Sequence, residues 1–339
     1  MKIDTQMGNI DLTTAGQDAA RYERLGFDGI WTYEISRDPY FPIVPAALAT
    51  SRVNLGTNLA IAFARSPFST AMSAWDLQRL TGGRFLLGLG TQVRAHVEHR
   101  FSMPFEHPAR RIKEFVQCMR AVWDTFQNGT KPAFEGEFYQ FKLINPMFNP
   151  GPIDHPHIPV YLAGVNPTMC RAAGEVADGF HVHPFHSVAY LREVVLAKLD
   201  EGARTRGKGV GDMELSCPVF AVTGETQAEM DRMFEETRRQ ISFYASTPSY
   251  RAVFTHMGLE GLGKELSQLA RNGDWDGMAK RITDDIVERV ATVAKPADLA
   301  RALRQRYAGI LTRVSLYYPN QLGDQDAGWT RFIQAFRAA

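Results

Sequence analysis

Short apolar runs alternate with amphipathic stretches along almost the whole chain. The run Phe85-Leu86-Leu87-Gly88-Leu89 contains no polar side chain, as expected for a strand that is covered on both faces. Strands that alternate with helices predict a parallel sheet with helices packed against it. Eight strands are predicted, the number that a closed barrel needs. They span 2–7, 28–33, 53–61, 84–89, 158–163, 179–183, 213–222 and 312–317.

The clearest predicted helix spans about 109–127, where apolar residues recur at helical spacing. Ile112, Phe115, Met119 and Val122 lie on its apolar face, which we expect to pack on the sheet. Further helices are predicted near 14–25, 42–50, 67–80, 167–177, 187–205, 226–241 and 327–338. The pattern therefore predicts an α/β protein with the (β/α)8 TIM-barrel fold.

Two segments exceed a minimal barrel. Residues 128–157, after the fourth barrel helix, are rich in Gly, Pro, Asn and aromatic residues, which indicates a hairpin followed by coil. Residues 242–296, between the seventh and eighth strands, contain helical pieces broken by glycines. Long insertions after a barrel strand usually form a wall or lid of the active site. We expect residues 1–339 to form a single barrel domain that carries both insertions.

Charge and composition narrow the range of partners. The 38 basic residues nearly balance the 37 acidic ones, so no charge excess favours a nucleic acid or an anionic membrane. A small-molecule substrate is the expected partner. No apolar stretch reaches bilayer length, and the N-terminus lacks a signal core, which indicates a cytoplasmic protein. Cys118, Cys170 and Cys217 lack CxxC spacing and are expected to be reduced core residues.

Two strand ends carry glycine-rich turns that could approach a ligand. The turn after the fourth strand contains GLG but lacks the third glycine of a dinucleotide fingerprint, so an NAD site is disfavoured. After the fifth strand, Gly164-Val165-Asn166 precedes Pro167, which would leave the amides of Thr168 and Met169 free to bind an anion. For both segments, an ordinary structural turn is the alternative.

Four segments resemble, in order and spacing, successive signatures of the luciferase-like flavin and deazaflavin barrels. These are LGFDGIWTYE (25–34), LGTNLAIAFARSP (55–67), GGRFLLGLGTQ (82–92) and IPVYLAGVNPTMCRAAGEVADGF (158–180). The strings AFARSP, LGLGTQVRAHVEHRF and HPF are most similar to an F420-dependent subgroup. The resemblance implies an oxidoreductase that transfers a hydride between coenzyme F420 and a hydrophobic small molecule. An FMN-dependent two-component monooxygenase and a non-catalytic flavin-binding protein are the alternatives.

The resemblance also implies a set of cofactor-binding residues. In the family, the third strand ends in a cis peptide bond behind the cofactor ring, which corresponds here to Asn58–Leu59. Thr91 and Gln92 match the turn that contacts the cofactor after the fourth strand. The phosphate loop after the fifth strand corresponds to Gly164, Val165, Asn166 and Thr168. We expect a side chain at position 164 to obstruct the phosphate, because glycine allows close approach of the backbone.

One departure bears on the chemistry. Several deazaflavin members carry an acidic residue followed by His at the end of the second strand, whereas this chain has Glu34-Ile35. Glu34 can keep a cofactor contact, but Ile35 cannot exchange a proton, which argues against alcohol oxidation. Glu34, His183 and Glu98 are the catalytic candidates, with structural or solvated roles as the alternative.

Three histidines near the end of the sixth strand are candidate ligands or proton carriers. His181 and His183 share one face of the sixth strand, and His186 follows in the loop. No third ligand accompanies His181 and His183 at metal-binding spacing, so no metal site is expected. Arg65 is a candidate contact for an anionic tail or substrate, with a salt bridge as the alternative.

The resemblance further implies a homodimer that pairs through the helices near 42–50 and 67–80. Phe68, Met72 and Trp75 make the second of these helices more apolar than a solvated helix requires.

Overall fold

The computed structural model describes residues 1–7, 11–318 and 326–339. Eight parallel strands, numbered β1 to β8 along the chain, pair in the order β3-β2-β1-β8-β7-β6-β5-β4, and a β3–β4 pairing closes the ring. The predicted TIM barrel is therefore confirmed. The strands are β1 Lys2–Gln6, β2 Gly29–Thr32, β3 Asn54–Thr57, β4 Phe85–Gly90, β5 Val160–Gly164, β6 Gly179–Val182, β7 Glu214–Val219 and β8 Arg313–Leu316.

Two predicted strands are interrupted. The segment predicted as 53–61 forms β3 and a short continuation, Ala60–Ile61, which pairs with β4. The segment predicted as 213–222 forms β7 and the separate strand Ala221–Val222, which pairs with Thr292–Val293. Both interruptions lie at carboxyl ends of barrel strands, where the backbone leaves the cylinder to build the mouth.

Helices cover the outside of the barrel, and the predicted ones are present with small changes at their ends. They are Ala15–Leu25, Ile43–Ala49, Pro67–Leu80, Pro108–Asn128, Pro167–Val176, Val188–Tyr190 continuing through a π-helical turn Leu191–Leu196 into Ala197–Arg204, Gln227–Ser246 and Asp326–Ala338. Two further helices, Arg94–His99 and Pro296–Tyr307, were not predicted. The second begins at a proline and buries Leu299, Leu303 and Tyr307, so its signals were present in the sequence.

Both insertions are present. After the fourth barrel helix, Phe134–Glu135 and Gln140–Phe141 form an antiparallel hairpin whose turn donates backbone hydrogen bonds to the buried Glu114 carboxylate. The insertion after β7 contains the helices Arg251–His256, Glu260–Arg271, Trp275–Lys280 and Asp284–Val290. None of the helices in the described ranges is both long and apolar enough to span a membrane.

The helix Pro67–Leu80 corrects one expectation about the dimer surface. Trp75 is buried, stacks edge-on against Phe126 and donates to the Gly151 carbonyl, and Phe68 packs against the hairpin residue Phe141. Both rings therefore serve the core and its hairpin. Of Phe68, Met72 and Trp75, only Met72 is exposed.

An ion pair fills the interior of the barrel near its amino-terminal end. Arg313 is fully buried and binds both carboxylate oxygens of Asp4, at 2.7 and 3.0 Å. Trp31 donates to the same carboxylate at 2.8 Å, and Tyr161 donates to Glu214, which also pairs with Arg313. These residues come from β1, β2, β5, β7 and β8 and can meet only inside the cylinder. Because this end is filled, a ligand has access only from the carboxyl-terminal mouth.

Candidate active site at the barrel mouth

A buried histidine lies directly beneath the mouth. His181 in β6 donates from Nε2 to the Thr57 carbonyl at the end of β3, at 3.1 Å, and its ring stacks on Tyr161. Burial lowers the pKa of His181 to about 3. The imidazole is therefore neutral and serves to pack the interior, so it is not a proton carrier at the mouth.

The end of β3 forms a shelf on which a ring could rest. The Asn58–Leu59 peptide bond is cis, as the resemblance implied, and both residues are partly exposed. We call this pair the Asn58–Leu59 shelf. Asn58 donates from its backbone to the Thr32 carbonyl at 2.6 Å, and the Glu34 backbone N–H donates to Leu59 at 3.2 Å. The shelf is therefore anchored to the end of β2.

Glu34 supports this shelf through its carboxylate. Oε2 accepts from the Ile61 backbone N–H and from Arg65 Nη1, each at 2.7 Å. Arg65 also pairs with Asp38 at 2.8 Å, so it forms salt bridges within the chain, and its contact with an anionic tail or substrate stays a prediction. The Glu34 side chain is only 8% exposed. These contacts make Glu34 a residue that positions the shelf, and its carboxylate is held by two donors.

The turn after β4 places two further candidates at the mouth. Gln92 has a positive φ of 61°, and its side-chain oxygen accepts from the Val93 backbone N–H at 2.9 Å. Thr91 donates to the Gln92 carbonyl at 3.1 Å. Both residues are partly exposed. The turn is thus locked by its own side chains while its outer surface stays accessible.

Glu98 lies farther out, on the helix Arg94–His99. Its carboxylate pairs with Arg94 at 2.7 Å, and the side chain is about one-third exposed. No contact among the described residues joins Glu98 to Glu34 or His183. Glu98 follows a strand end in the sequence, but it lies on a short helix where its side chain pairs with Arg94 along the surface.

The loop after β5 differs from its predicted role at one glycine. A Cβ added at Gly164 would lie 2.5 Å from Cγ of Met169, so a side chain there would collide with the protein itself. The expectation that glycine at this position allows close approach of a phosphate stays a prediction. Asn166 caps the helix Pro167–Val176 by accepting from the Met169 backbone N–H at 2.9 Å. The Thr168 backbone N–H has no acceptor among the described residues, and Thr168 is exposed.

His183 stands at the end of β6, two residues beyond His181 on the same face of the strand. Its Nδ1 accepts a hydrogen bond of 3.1 Å from the Phe185 backbone N–H. A backbone N–H can only donate, so the hydrogen of the neutral ring is on Nε2. Burial lowers the pKa of His183 to about 3. The Nε2 atom has no partner among the described residues, and part of His183 reaches the surface although its imidazole is largely desolvated.

His186 stabilises this turn through a hydrogen bond to the His183 backbone. Its Nδ1 donates to the His183 carbonyl at 2.7 Å, and its Nε2 faces the Tyr307 hydroxyl at 3.2 Å. Burial lowers the pKa of His186 to about 4. Since both ring nitrogens are engaged inside the protein, His186 is a structural residue.

Three tyrosines at the mouth were not predicted. The rings of Tyr244 and Tyr250, from the insertion, each lie 4.5 Å from the His183 ring. The Tyr244 and Tyr317 hydroxyls are 2.7 Å apart. Burial raises the pKa of each of the three, which keeps them protonated. The aromatic residues near the start of the 242–296 insertion were the available signal, because that segment was already expected to wall the site.

The residues at the mouth fit a flavin or deazaflavin. The shelf offers a partly exposed surface for a ring, and the free Thr168 N–H begins a helix of ten residues, whose end attracts anions. Across residues 1–7, 11–318 and 326–339, no cluster of three or more His, Cys, Asp or Glu side chains could hold a metal ion.

Comparisons with known proteins agree with this geometry. An uncharacterised protein of Mycobacterium tuberculosis is 46% identical over 93% of this chain and 92% of its own length. A second protein of that organism, provisionally named a coenzyme F420-dependent oxidoreductase, is 28% identical over 86% of this chain and 88% of its own length. Relatives and structural neighbours include F420-dependent oxidoreductases and flavin monooxygenases.

Two solved structures illustrate the shared fold. The coenzyme F420-dependent tetrahydromethanopterin reductase of Methanopyrus kandleri superposes with a TM-score of 0.78 at 19% identity, covering 98% of this chain and 96% of that chain. A Baeyer–Villiger monooxygenase of Pseudomonas putida in complex with FMN gives a TM-score of 0.64 at 15% identity, covering 99% and 97%. The sequence model of the luciferase-like monooxygenases matches residues 3–313, and the chain therefore belongs to that family.

Proposed function

We propose that the chain is an F420-dependent oxidoreductase that transfers a hydride between F420 and a hydrophobic small organic molecule at the barrel mouth. The observation that carries the proposal is the placement of the Asn58–Leu59 shelf relative to the free helix end at Thr168. The shelf follows β3 and the helix follows β5, so only β4 separates them. Two strand spacings correspond to about 10 Å, a distance suited to a tricyclic ring joined to a phosphate by a short polyol.

Each element of the mouth then has a role. Asn58 and Leu59 support the ring, held in place by Glu34. Thr91 and Gln92 contact the ring edge from the turn after β4. Gly164, Val165, Asn166 and Thr168 surround the phosphate, and the Thr168 N–H donates to it. When bound, the deazaflavin supplies the carbon that donates or accepts the hydride, and the protein supplies orientation and electrostatics.

Cofactor titration tests the proposal directly. The purified protein is mixed with F420 and, separately, with FMN, while cofactor fluorescence is recorded. We expect F420 fluorescence to change saturably and FMN fluorescence to change little. Saturable binding of FMN alone, with oxygen consumption on reduction, would replace the proposal with a flavin monooxygenase. Binding of F420 without hydride exchange to any organic acceptor would favour a storage protein.

We also propose that the protein is a cytoplasmic homodimer. Phe41, Val44, Leu48 and Met72 are 62, 40, 74 and 46% exposed, and they lie on or next to the helices Ile43–Ala49 and Pro67–Leu80. Such a set of exposed apolar side chains favours a partner surface. The three cysteines are buried and free, as is usual for a protein of a reducing compartment.

A further inference from the structure

The turn His183-Pro184-Phe185 determines which proton His183 can handle. The Phe185 N–H donates to Nδ1 at 3.1 Å across the intervening proline, whose φ is fixed by its ring. Protonation of Nδ1 would break this hydrogen bond and place two donors face to face. The neutral ring therefore keeps its hydrogen on Nε2, where it can donate but cannot accept a proton.

The neighbours of His183 reinforce this restriction. The rings of Tyr244 and Tyr250 enclose the imidazole at 4.5 Å and shield it from water, and among the described residues no carboxylate forms an ion pair with it. His186 lies behind the turn and faces His183 through its own Nδ1–H. The cationic Arg306 further disfavours a positive ring at His186. The lowered pKa of His183 follows from burial and then from the neighbouring His186.

The two candidate carboxylates already have partners. Glu34 binds Ile61 and Arg65, and Glu98 binds Arg94. The Tyr244 hydroxyl is paired with Tyr317. This part of the mouth thus presents hydrogen-bond donors and apolar rings toward a substrate. Each of the carboxylate and hydroxyl groups named here already has a partner, so none is poised to accept a proton from the substrate.

The position of His183 follows from the contact beneath it. His181 reaches Thr57 across the barrel at 3.1 Å, so β6 and β3 face each other at this level. His183 lies two residues beyond His181 on the same face of the strand, and the Asn58–Leu59 shelf directly follows Thr57. The exposed Ile35, after β2, adds an apolar side chain at the rim. A planar apolar molecule between the shelf and His183 would place its polar end near Nε2.

We propose that His183 Nε2–H donates a fixed hydrogen bond to the carbonyl oxygen of an α,β-unsaturated carbonyl compound, which the enzyme reduces at the carbon–carbon double bond. The proposal rests on the proposed function, because reduced F420 is the hydride source. Bound reduced F420 would supply the hydride for the C–H bond at the β-carbon while the π electron pair moves onto the carbonyl oxygen as an enolate, and the cofactor would be left oxidised. Water would then protonate the α-carbon, and the proton released by oxidation of the cofactor would neutralise the hydroxide that remains.

The donor-only geometry distinguishes this reaction from alcohol oxidation. An alcohol must lose its hydroxyl proton to a base, and the reverse reduction of a simple ketone returns a proton through the same group. Both reductions develop negative charge on the carbonyl oxygen, but a conjugate reduction is completed by protonation of a carbon from solvent, so the group that contacts the oxygen need not transfer a proton. Such a charge needs a preorganised donor, which His183 supplies. Ile35 occupies the position of the proton-exchanging His in several deazaflavin members, which agrees with a conjugate reduction.

The tautomer can be measured without cofactor. In protein labelled with ¹⁵N, long-range proton–nitrogen correlation spectra distinguish the two neutral tautomers of each histidine, and the His183→Gln variant identifies the signal that belongs to His183. We expect the Nε2–H tautomer and no titration between pH 5 and 8. An Nδ1–H tautomer, or a titration within that range, would overturn the proposal.

A matched pair of variants tests the role in turnover. His183→Gln keeps an N–H donor, whereas His183→Phe keeps a ring between Tyr244 and Tyr250 but removes the donor. With reduced F420 and cyclohex-2-enone, we expect kcat to fall about 100-fold for His183→Phe and less than about tenfold for His183→Gln, as for loss of one oxyanion donor. The affinity for F420 should change less than about threefold in both, so that lost turnover is not lost cofactor.

The same experiment separates the two proposals. Absence of F420 binding to the wild type would contradict the proposed function, whatever the tautomer of His183. Saturable F420 binding with oxidation of cyclohexanol, or with turnover of neither the enone nor the alcohol, would overturn the substrate class. Equal loss of turnover in His183→Gln and His183→Phe would show that the N–H donor has no role and that His183 only packs against its neighbours.

Discussion

His181 and Thr57 are joined by a hydrogen bond of 3.1 Å that crosses the interior of the barrel just below its mouth. Gly88 makes this contact possible, because it lies between them on β4. The Thr57 hydroxyl donates to the Gly88 carbonyl at 2.7 Å and accepts from the Gly88 N–H at 2.9 Å. These bonds continue the β3–β4 pairing beyond Gly56, where the backbone ladder ends. The floor under the shelf is therefore built from one histidine, one threonine and one glycine.

Replacing Gly88 by alanine should collapse this floor. The added Cβ would lie 1.8 Å from the Thr57 carbonyl oxygen and 2.4 Å from His181 Nε2, and the first of these atoms belongs to the backbone. We expect Gly88→Ala to lower the free energy of unfolding by about 3 kcal/mol or more, measured by urea denaturation. Gly261→Ala is the control, since nothing lies within 4 Å of its Cβ and alanine favours a helix. Equal stability of the two variants would contradict the packing described.

The barrel strands could be predicted because burial on both faces leaves continuous apolar runs, as in β4. The interior ion pair could not, because Arg313 lies in an apolar segment and its partner Asp4 is more than three hundred residues away. The same limit applies to Tyr244 and Tyr250, which reach His183 only through the tertiary placement of the insertion. Glu98 shows the opposite case: it is close in sequence to a strand end, but the direction of its side chain depends on one helical turn.

The support that Glu34 gives to the shelf can be tested by changing Glu34 and Asp38, the two carboxylates that pair with Arg65. Glu34→Gln removes the charge that pairs with Arg65 while keeping a side-chain oxygen for the Ile61 N–H. We expect a loss of about 1–3 kcal/mol in unfolding free energy together with weaker F420 binding. Asp38→Asn is the matched control, since Asp38 pairs with the same arginine but is 32% exposed. It should cost less than about 1 kcal/mol. A larger effect for Asp38→Asn than for Glu34→Gln would refute the assignment.

Stability should decline as the solution becomes mildly acidic. His181, His183 and His186 have folded pKa values of about 3, 3 and 4, lowered by burial, whereas an unfolded histidine titrates near 6.5. Below pH 6.5 the unfolded chain binds protons that the folded chain does not, so each group destabilises the fold by up to about 1.4 kcal/mol per pH unit. This effect is absent above pH 6.5 and ends near the folded pKa.

Urea denaturation at pH 7, 6 and 5 measures this dependence. His186→Asn keeps a donor near the His183 carbonyl but removes one titrating group, so its stability should fall less steeply with acid than that of the wild type. His99→Gln is the control, because His99 is exposed on a short surface helix. An unchanged slope in His186→Asn would show that His186 is protonated or solvated in the folded protein.

The dimer predicted from the exposed apolar residues can be tested at Leu48, which is 74% exposed on the helix Ile43–Ala49. Leu48→Glu places a charge in the proposed interface, where it would be desolvated on association. We expect sedimentation velocity to show a dimer for the wild type and a monomer for this variant at micromolar concentration. Leu143→Glu is the control, because Leu143 is 85% exposed but lies in the hairpin insertion. A monomeric wild type would exclude the dimer.

Substitutions at Asn166 can separate helix capping from phosphate binding, because its side chain caps the helix and, under the proposed function, faces the phosphate. Its Oδ1 accepts from the Met169 N–H, and aspartate would keep this acceptor and add a negative charge that a helix N-terminus favours. Asn166→Asp should therefore keep or slightly raise the thermal stability. The same charge should repel a bound phosphate by about 1–4 kcal/mol, seen as a weaker F420 affinity that added salt partly restores. Asn166→Ala removes the cap without adding a charge, so it should lower the stability by about 1 kcal/mol and change the F420 affinity little. If both variants bind F420 like the wild type, the phosphate lies elsewhere on the rim, and the helix Pro167–Val176 has only a structural role.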